Sequence, residues 1–252
     1  MQLPGTAHFV AAPGSPTGTG ELHCWDPGTP IEETLRTLND LVRCGKVHYI
    51  GVSNFTGWQL QKTIMLSEFM GLNRIVSLQQ EYSLLCRATE WECVEVCRNE
   101  GIGLIPWGPL KGGWLTGKIR RSKAPPDGSR VSFAESHPGI YYRGMSHPNY
   151  SDFANERVWN LLDVMEQIGT MHGKTIAQVG LRWLLQKDFI PSVIVGCKTL
   201  KQLEDNIGAG RGWKLTNQQV EELNAASAVE VPLPYGYIEN IFSSRKRTSI
   251  CK

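Results

Sequence analysis

The run Val47-His48-Tyr49-Ile50-Gly51-Val52-Ser53-Asn54-Phe55 decides the fold. Residues 47–50 are apolar, β-branched or aromatic in the main, and predict a buried strand. Thr56-Gly57-Trp58-Gln59 follows with the spacing of a capping box and opens an amphipathic helix. A strand therefore ends in two polar residues, Ser53 and Asn54, and hands over to a helix. In α/β folds ligands are held at such carboxyl ends of strands. The alternative reading is a polar turn without a ligand.

Outward from this unit the alternation recurs. Before it, Glu21-Leu22-His23-Cys24-Trp25 predicts a short strand stopped by Asp26-Pro27-Gly28. Thr29-Pro30-Ile31-Glu32 predicts a capping box with proline at the first helical position. Leu35, Leu38, Leu41 and Val42 then mark one helical face up to Gly45. After it come a helix over residues 57–70, a strand Ile75-Val76-Ser77-Leu78 leading to Gln79-Gln80, and a helix over residues 90–99. Gly103-Leu104-Ile105 leads to Pro106-Trp107, helices are predicted over residues 158–168 and 176–186, and Val193-Ile194-Val195 leads towards a helix around Leu203. Thr175, Thr199 and Thr216 repeat the Thr-x-x-Gln form of Thr56, each box worth on the order of 1 kcal/mol. Strand then helix, with short connections, specifies parallel strands joined by crossover helices.

Three stretches break the rhythm. Residues 1–20, rich in Gly, Pro, Ser, Thr and Ala, predict a flexible leader. Residues 112–152 hold Pro125-Pro126-Asp127-Gly128, His137-Pro138-Gly139 and His147-Pro148, and predict a lid or an insertion. Its Arg120, Arg121, Lys123 and Arg130 suit an anionic ligand or form a solvated charged face. Residues 229–252 predict a packed strap and a frayed basic end at Ser244-Arg245-Lys246-Arg247.

Composition narrows the class. The chain has 252 residues, 41% hydrophobic and 20% charged, which suits a globular core. A net charge of +2 gives no argument for nucleic acid or an anionic membrane surface. No apolar run approaches the ~20 residues of a membrane helix. The first twenty residues lack the basic and apolar regions of a signal peptide. Seven cysteines, an odd number without a Cys-x-x-Cys pair, read as reduced thiols of a cytoplasmic protein, mostly core fillers. Cys93 and Cys97 share a helical face, but no further ligand stands at zinc spacing.

Four runs in register carry a family resemblance: GKVHYIGVSNF at 45–55, SLQQEYSLLCR at 77–87, LIPWGPLKGGWLTGK at 104–118 and VIVGCKTLKQLEDN at 193–206. Together they resemble the aldo-keto reductases over residues 21–228, nearest the branch of potassium-channel β-subunit-like and bacterial-type reductases. The resemblance implies an α/β fold, a (β/α)₈ barrel of TIM type, that binds NADP(H) across its strand ends. The absence of G-x-G-x-x-G agrees with that mode of binding. By resemblance, Ser53, Asn54 and Gln79 hydrogen-bond the nicotinamide carboxamide and Trp107 stacks on the ring. Gly108, Pro109, Leu110, Lys111 and Gly112 surround the pyrophosphate, with Lys118 further along. Gly196, Lys198, Gln202, Asp205 and Asn206 hold the adenosine end and its 2′-phosphate. The residue types suit these roles: paired amides match a carboxamide, glycine turns admit a pyrophosphate, and Lys198 offsets phosphate charge. Gln202 is also the capping residue of its helix, so two roles compete for one side chain.

The catalytic group departs from the family's pattern. That pattern pairs a Tyr general acid with a Lys and an Asp, and adds a His that orients the carbonyl. His23, in His23-Cys24-Trp25-Asp26-Pro27, matches the His; Tyr49, Tyr82, Tyr141 and Tyr142 fall at other places in the pattern. About five strands are legible against the eight of a closed barrel, so the expectation is an incomplete barrel whose first three β/α units are missing. The function implied is reduction of an aldehyde or ketone, impaired without the Asp, Tyr and Lys. The alternative is a non-catalytic cofactor-binding or partner-binding remnant. Open sheet edges would favour self-association.

Overall fold

In the computed structural model, residues 9–10, 18–121, 123–137, 141–142, 145–146 and 149–242 are described. Strands β1 (Phe9–Val10), β2 (Thr19–Leu22), β3 (Tyr49–Ser53), β4 (Ile75–Glu81) and β5 (Gly103–Trp107) form one sheet in that order. β2 to β5 are parallel, and β1 runs antiparallel to β2. Helices α1 (Ile31–Arg43), α2 (Gly57–Phe69) and α3 (Cys93–Glu100) connect successive parallel strands. Among the described residues no helix is long and apolar enough to cross a membrane.

Register explains which face is buried. Leu22, Val52, Leu78 and Leu104 stand in one row across the sheet and join a core with Leu35, Leu60 and Val94 of the three helices. Side chains alternate along a strand, so the next row, Glu21, Gly51, Ser77 and Gly103, lies on the opposite face. That row is small for a reason. A Cβ on Gly51 would overlap Ser77 Oγ and come within 3.1 Å of the Ser77 carbonyl oxygen.

The first strand lies earlier than expected. β2 covers Thr19–Leu22, starting two residues inside the stretch read as leader and ending before His23 to Trp25. Phe9 and Val10 pair with Leu22 and Glu21, covering part of the edge expected to be open. Strands of two and four residues are too short to show periodicity. The remainder of the leader (1–8 and 11–17), the basic end Ser244–Arg247 and the His147-Pro148 pair lie outside the described residues.

Val193-Ile194-Val195, expected as the last strand, lies beside β5 without forming a regular ladder. Leu104 N–H donates to Phe189 O at 2.9 Å and Ile194 N–H to Pro106 O at 2.9 Å. A parallel ladder would next need donors from residue 191 and from residue 106, and both are proline.

The stretch 112–152 is more structured than a loop. A 3₁₀ run over Lys111–Thr116, α4 (Arg130–Ser136), β6 (Tyr141–Tyr142) paired with β7 (Met145–Ser146), and α5 (Tyr150–Phe153) lie within or beside it. Trp114 is fully buried, with Tyr150, Phe153 and Trp159 rings 5.6–5.8 Å away. Helices α6 (Glu156–His172), α7 (Ile176–Leu185), α8 (Leu200–Ile207), α9 (Asn217–Ala226) and α10 (Tyr235–Phe242) follow.

Capping boxes form at Thr56, Thr175 and Thr216. The one expected at Thr29 does not. Thr29 Oγ1 donates instead to Asp26 Oδ2 at 2.7 Å, and Pro30 becomes the N-cap. Asp26 also accepts from Gly28 N–H at 2.8 Å, and these two bonds hold its carboxyl below the ordinary value.

Candidate functional site

The polar strand ends converge on Asn54. It follows β3 directly and takes φ 55°, a left-handed conformation that Asn tolerates better than most side chains. Its backbone N–H donates to Gln79 O at 3.0 Å. Its side-chain amide donates to His23 O at 2.9 Å and to Ser53 Oγ at 3.0 Å. Its Oδ1 accepts from Trp107 Nε1 at 3.0 Å. One residue, through its side-chain amide and its backbone N–H, therefore ties together the ends of β2, β3, β4 and β5. Ser53, Gln79 and Ile105 share a register row, and Trp107 lies two residues further along β5 on the same face.

Gln79 donates to Glu21, two rows back on the same face, across the gap left by Gly51. Burial pushes the Glu21 carboxyl above its ordinary value, while the Gln79 bond works in the opposite direction. Glu21 was not among the sequence-derived candidates. Its signal was available, since alternation along β2 places Glu21 and His23 on one face.

The run from Gly108 to Gly117 is shaped by backbone that other residues resist. Gly108 at φ 63°, Lys111 at 45°, Gly112 at 63° and Gly113 at 109° are all left-handed. A Cβ on Gly113 would meet nothing within 4 Å, so this turn is open to a ligand. Pro109 is buried and Leu110 packs against the core, anchoring the turn. Lys111 Nζ pairs with Glu81 Oε1 at 2.6 Å, and its ammonium lies 5.5 Å from the Phe153 ring. Lys118 is exposed and is not brought into the Asn54 cluster. Arg120 and Arg121, considered for an anion, are paired with Glu166 at 2.8 Å and Glu156 at 3.0 Å.

The segment Gly196 to Asn206 leaves the sheet beside Trp107, because Ile194 is bonded to Pro106. Gly196 is exposed, with open space where a Cβ would stand. Lys198 Nζ donates to Gly128 O at 3.0 Å, linking this segment to the stretch expected as a lid. Gln202 Oε1 accepts from Lys198 N–H at 2.7 Å, one residue away from the box geometry expected at Thr199. Asp205 Oδ2 accepts from Thr175 Oγ1 at 3.0 Å, and Asn206 Nδ2 lies 3.2 Å from Cys197 Sγ.

His23 presents its carbonyl to Asn54, and its side chain is exposed. Tyr82 is fully buried, with its hydroxyl donating to Glu90 Oε1 at 2.5 Å. Burial and the neighbouring Glu90 raise its pKa, so the phenol keeps its proton. Tyr49 is exposed at the start of β3, at the end of the sheet remote from Asn54. The side chains of Tyr141 and Tyr142 lie outside what is described. Cys93 and Cys97 are core thiols, pushed by burial to about 11 and about 12, whereas Cys24, Cys44 and Cys197 are exposed.

The parallel sheet thus gathers amides, an indole and a glycine-rich turn at the carboxyl ends of its strands. Residues 18–228 match the profile of the aldo/keto reductase family, and the chain belongs to that family. An aldo-keto reductase of Metarhizium robertsii is 30% identical over 213 residues, covering 83% of this chain and 53% of that protein. Norsolorinic acid reductase B of Dothistroma septosporum is 29% identical over 230 residues, 90% of this chain and 54% of its own length. The chloroplastic pyridoxal reductase of Arabidopsis thaliana is 33% identical over 233 residues, 90% and 57% respectively. The chain thus spans about half the length of these curated relatives.

Proposed function

We propose that these residues form the cofactor-holding part of an NADP(H)-dependent reductase that converts aldehydes or ketones to alcohols. The observation that carries this reading is the Asn54 amide, bonded to His23 O, Ser53 Oγ and Trp107 Nε1 at adjoining strand ends. Ser53, Asn54 and Gln79 would hold the carboxamide, and the fixed indole of Trp107 would set the ring plane. The left-handed Gly108, Gly112 and Gly113 let backbone approach a pyrophosphate, with Pro109 and Leu110 as anchors and Lys111 and Lys118 as cations. Gly196, Lys198, Gln202, Asp205 and Asn206 would take the adenosine end, with Lys198 facing the 2′-phosphate. NADP(H), when bound, supplies the hydride.

The fold we infer is part of a (β/α)₈ barrel, on the four parallel strands and the chain segment beside β5. The motif run at 45–55, 77–87, 104–118 and 193–206 supports the potassium-channel β-subunit-like branch. The free thiols of the six described cysteines support a reducing compartment such as the cytoplasm. His23 would orient the carbonyl. These 252 residues hold no match to the family's Asp, Tyr and Lys, so turnover by them alone is inferred to be slow; loss of a general acid costs ~10²–10⁴-fold.

The test is oxidation of NADPH by a generic aromatic aldehyde, with His23→Ala alongside. Slow turnover that falls further in His23→Ala is expected. NADPH binding without any turnover would favour the cofactor-binding remnant reading, and absence of NADPH binding would overturn the reductase reading and the cofactor role with it.

A further inference from the structure

Away from the strand-end cluster, a cavity of about 670 Å³ opens between α3, the turn after α7, α9 and α10. Lys187 lines it, with its amine beside three aromatic rings. Its Nζ lies 4.0 Å from the Trp183 ring centroid, 5.8 Å from that of Tyr82 and 6.0 Å from that of Phe189. Arg87 shares the Trp183 ring at 5.7 Å, and Arg98 shares the Phe189 ring at 4.6 Å. Lys187 thus shares one ring with each of two arginines. The arginines are paired: Arg87 with Glu90 at 2.8 Å, and Arg98 with Asp188 at 3.4 Å and Glu95 at 3.7 Å. No carboxylate among the described residues lies within ion-pair distance of the Lys187 amine.

We propose that Lys187 is a nucleophilic site that condenses with small aromatic aldehydes entering this cavity. The amine nitrogen forms a bond to the carbonyl carbon, giving a carbinolamine. Loss of water, carrying the carbonyl oxygen and both amine hydrogens, leaves an imine. No redox partner is needed, so the reaction is independent of the reductase reading. Trp91 and Tyr235, with near-parallel rings 6.2 Å apart on the cavity wall, supply the aromatic lining that an aryl group would contact.

The electrostatics raise the neutral fraction of the amine. Burial is the largest influence, Arg87 and Arg98 add to it, Glu90 and Asp188 oppose it, and the amine comes down to about 8. Glu95 and the Tyr82 hydroxyl also face the cavity, the latter held by Glu90. A lysine desolvated beside other cations is a recognised route to a nucleophilic amine.

The experiment is reductive trapping of the full chain with benzaldehyde and cyanoborohydride, followed by peptide mapping of all twelve lysines. At pH 7 Lys187 is expected to label on the order of tenfold or more faster than exposed Lys62 and Lys201, from its larger neutral fraction. Its labelling should reach half-maximum near pH 8. Lys187→Arg, which keeps the charge, should lose this fast adduct. Labelling no faster than at the exposed lysines, or a Lys187 profile still rising through pH 10, would overturn the proposal. The parent map decides even if the variant does not fold.

Discussion

At Asn54 the left-handed backbone and the three side-chain bonds belong to one design, because Asn is a side chain that accepts φ 55° and still offers two donors and an acceptor. Asn54→Asp keeps the shape and the acceptor for Trp107 but removes both donors. It is expected to cost about 1–3 kcal/mol, read from urea unfolding. Gly51→Ala should cost a similar amount, about 1–3 kcal/mol, because its Cβ would overlap Ser77 Oγ; adding Ser77→Gly should recover part of it. Lys187 gives a signed pH dependence. Its folded value near 8 lies below the unfolded 10.5, so between them the unfolded chain binds the extra proton and raising the pH stabilises the fold. Below pH 8 the full penalty is present. Lys187→Met should therefore be more stable than the parent at pH 7, on the order of 1–2 kcal/mol after loss of the Trp183 contact. The difference should close as pH passes 10.5, measured by paired thermal melts.

Among the elements, α7 shows how a local signal becomes a tertiary one. Thr175 Oγ1 accepts from Gln178 N–H at 3.2 Å and donates to Asp205 at 3.0 Å, so the cap of α7 also fastens α8. Thr175→Ala is expected to lose about 1–2 kcal/mol in urea unfolding, more than Thr216→Ala, whose hydroxyl bonds only the Gln219 N–H of its own box. The boxes at Thr56, Thr175 and Thr216 were legible because four consecutive residues contain both reciprocal bonds of each. Thr29 was not, since its hydroxyl is taken by Asp26, a competitor outside the motif. Val193-Ile194-Val195 has the composition of a strand, but a ladder also needs donors, and Pro106 and Pro191 withhold them. The stretch 112–152 misled through its prolines and glycines. What orders it is Trp114 among distant aromatic rings, which periodicity cannot register. For the site, Ser53, Asn54, Gln79 and Trp107 were legible as strand-end residues; Glu21 was legible only as a residue on the His23 face of β2, since its tie to Gln79 needs pairing across the sheet, and the Lys187 contacts depend on packing across helices.

For the whole molecule, four parallel strands and their connecting helices bring the polar strand ends to one edge of the sheet, in a chain about half as long as its curated relatives. Leu200, Leu203 and Ile207, spaced along one side of α8, are exposed, so this helix has an apolar stripe that the described residues leave uncovered. The proposed hold of the Asn54 cluster on a nicotinamide is nevertheless local to these strand ends. Calorimetric titration of NADPH into the parent and into Asn54→Asp tests it most directly. Saturable binding by the parent, weakened about tenfold or more in the variant, corresponding to about 1.4 kcal/mol, is the expected result. Equal affinity in the two chains, or no saturable binding by the parent, would contradict it.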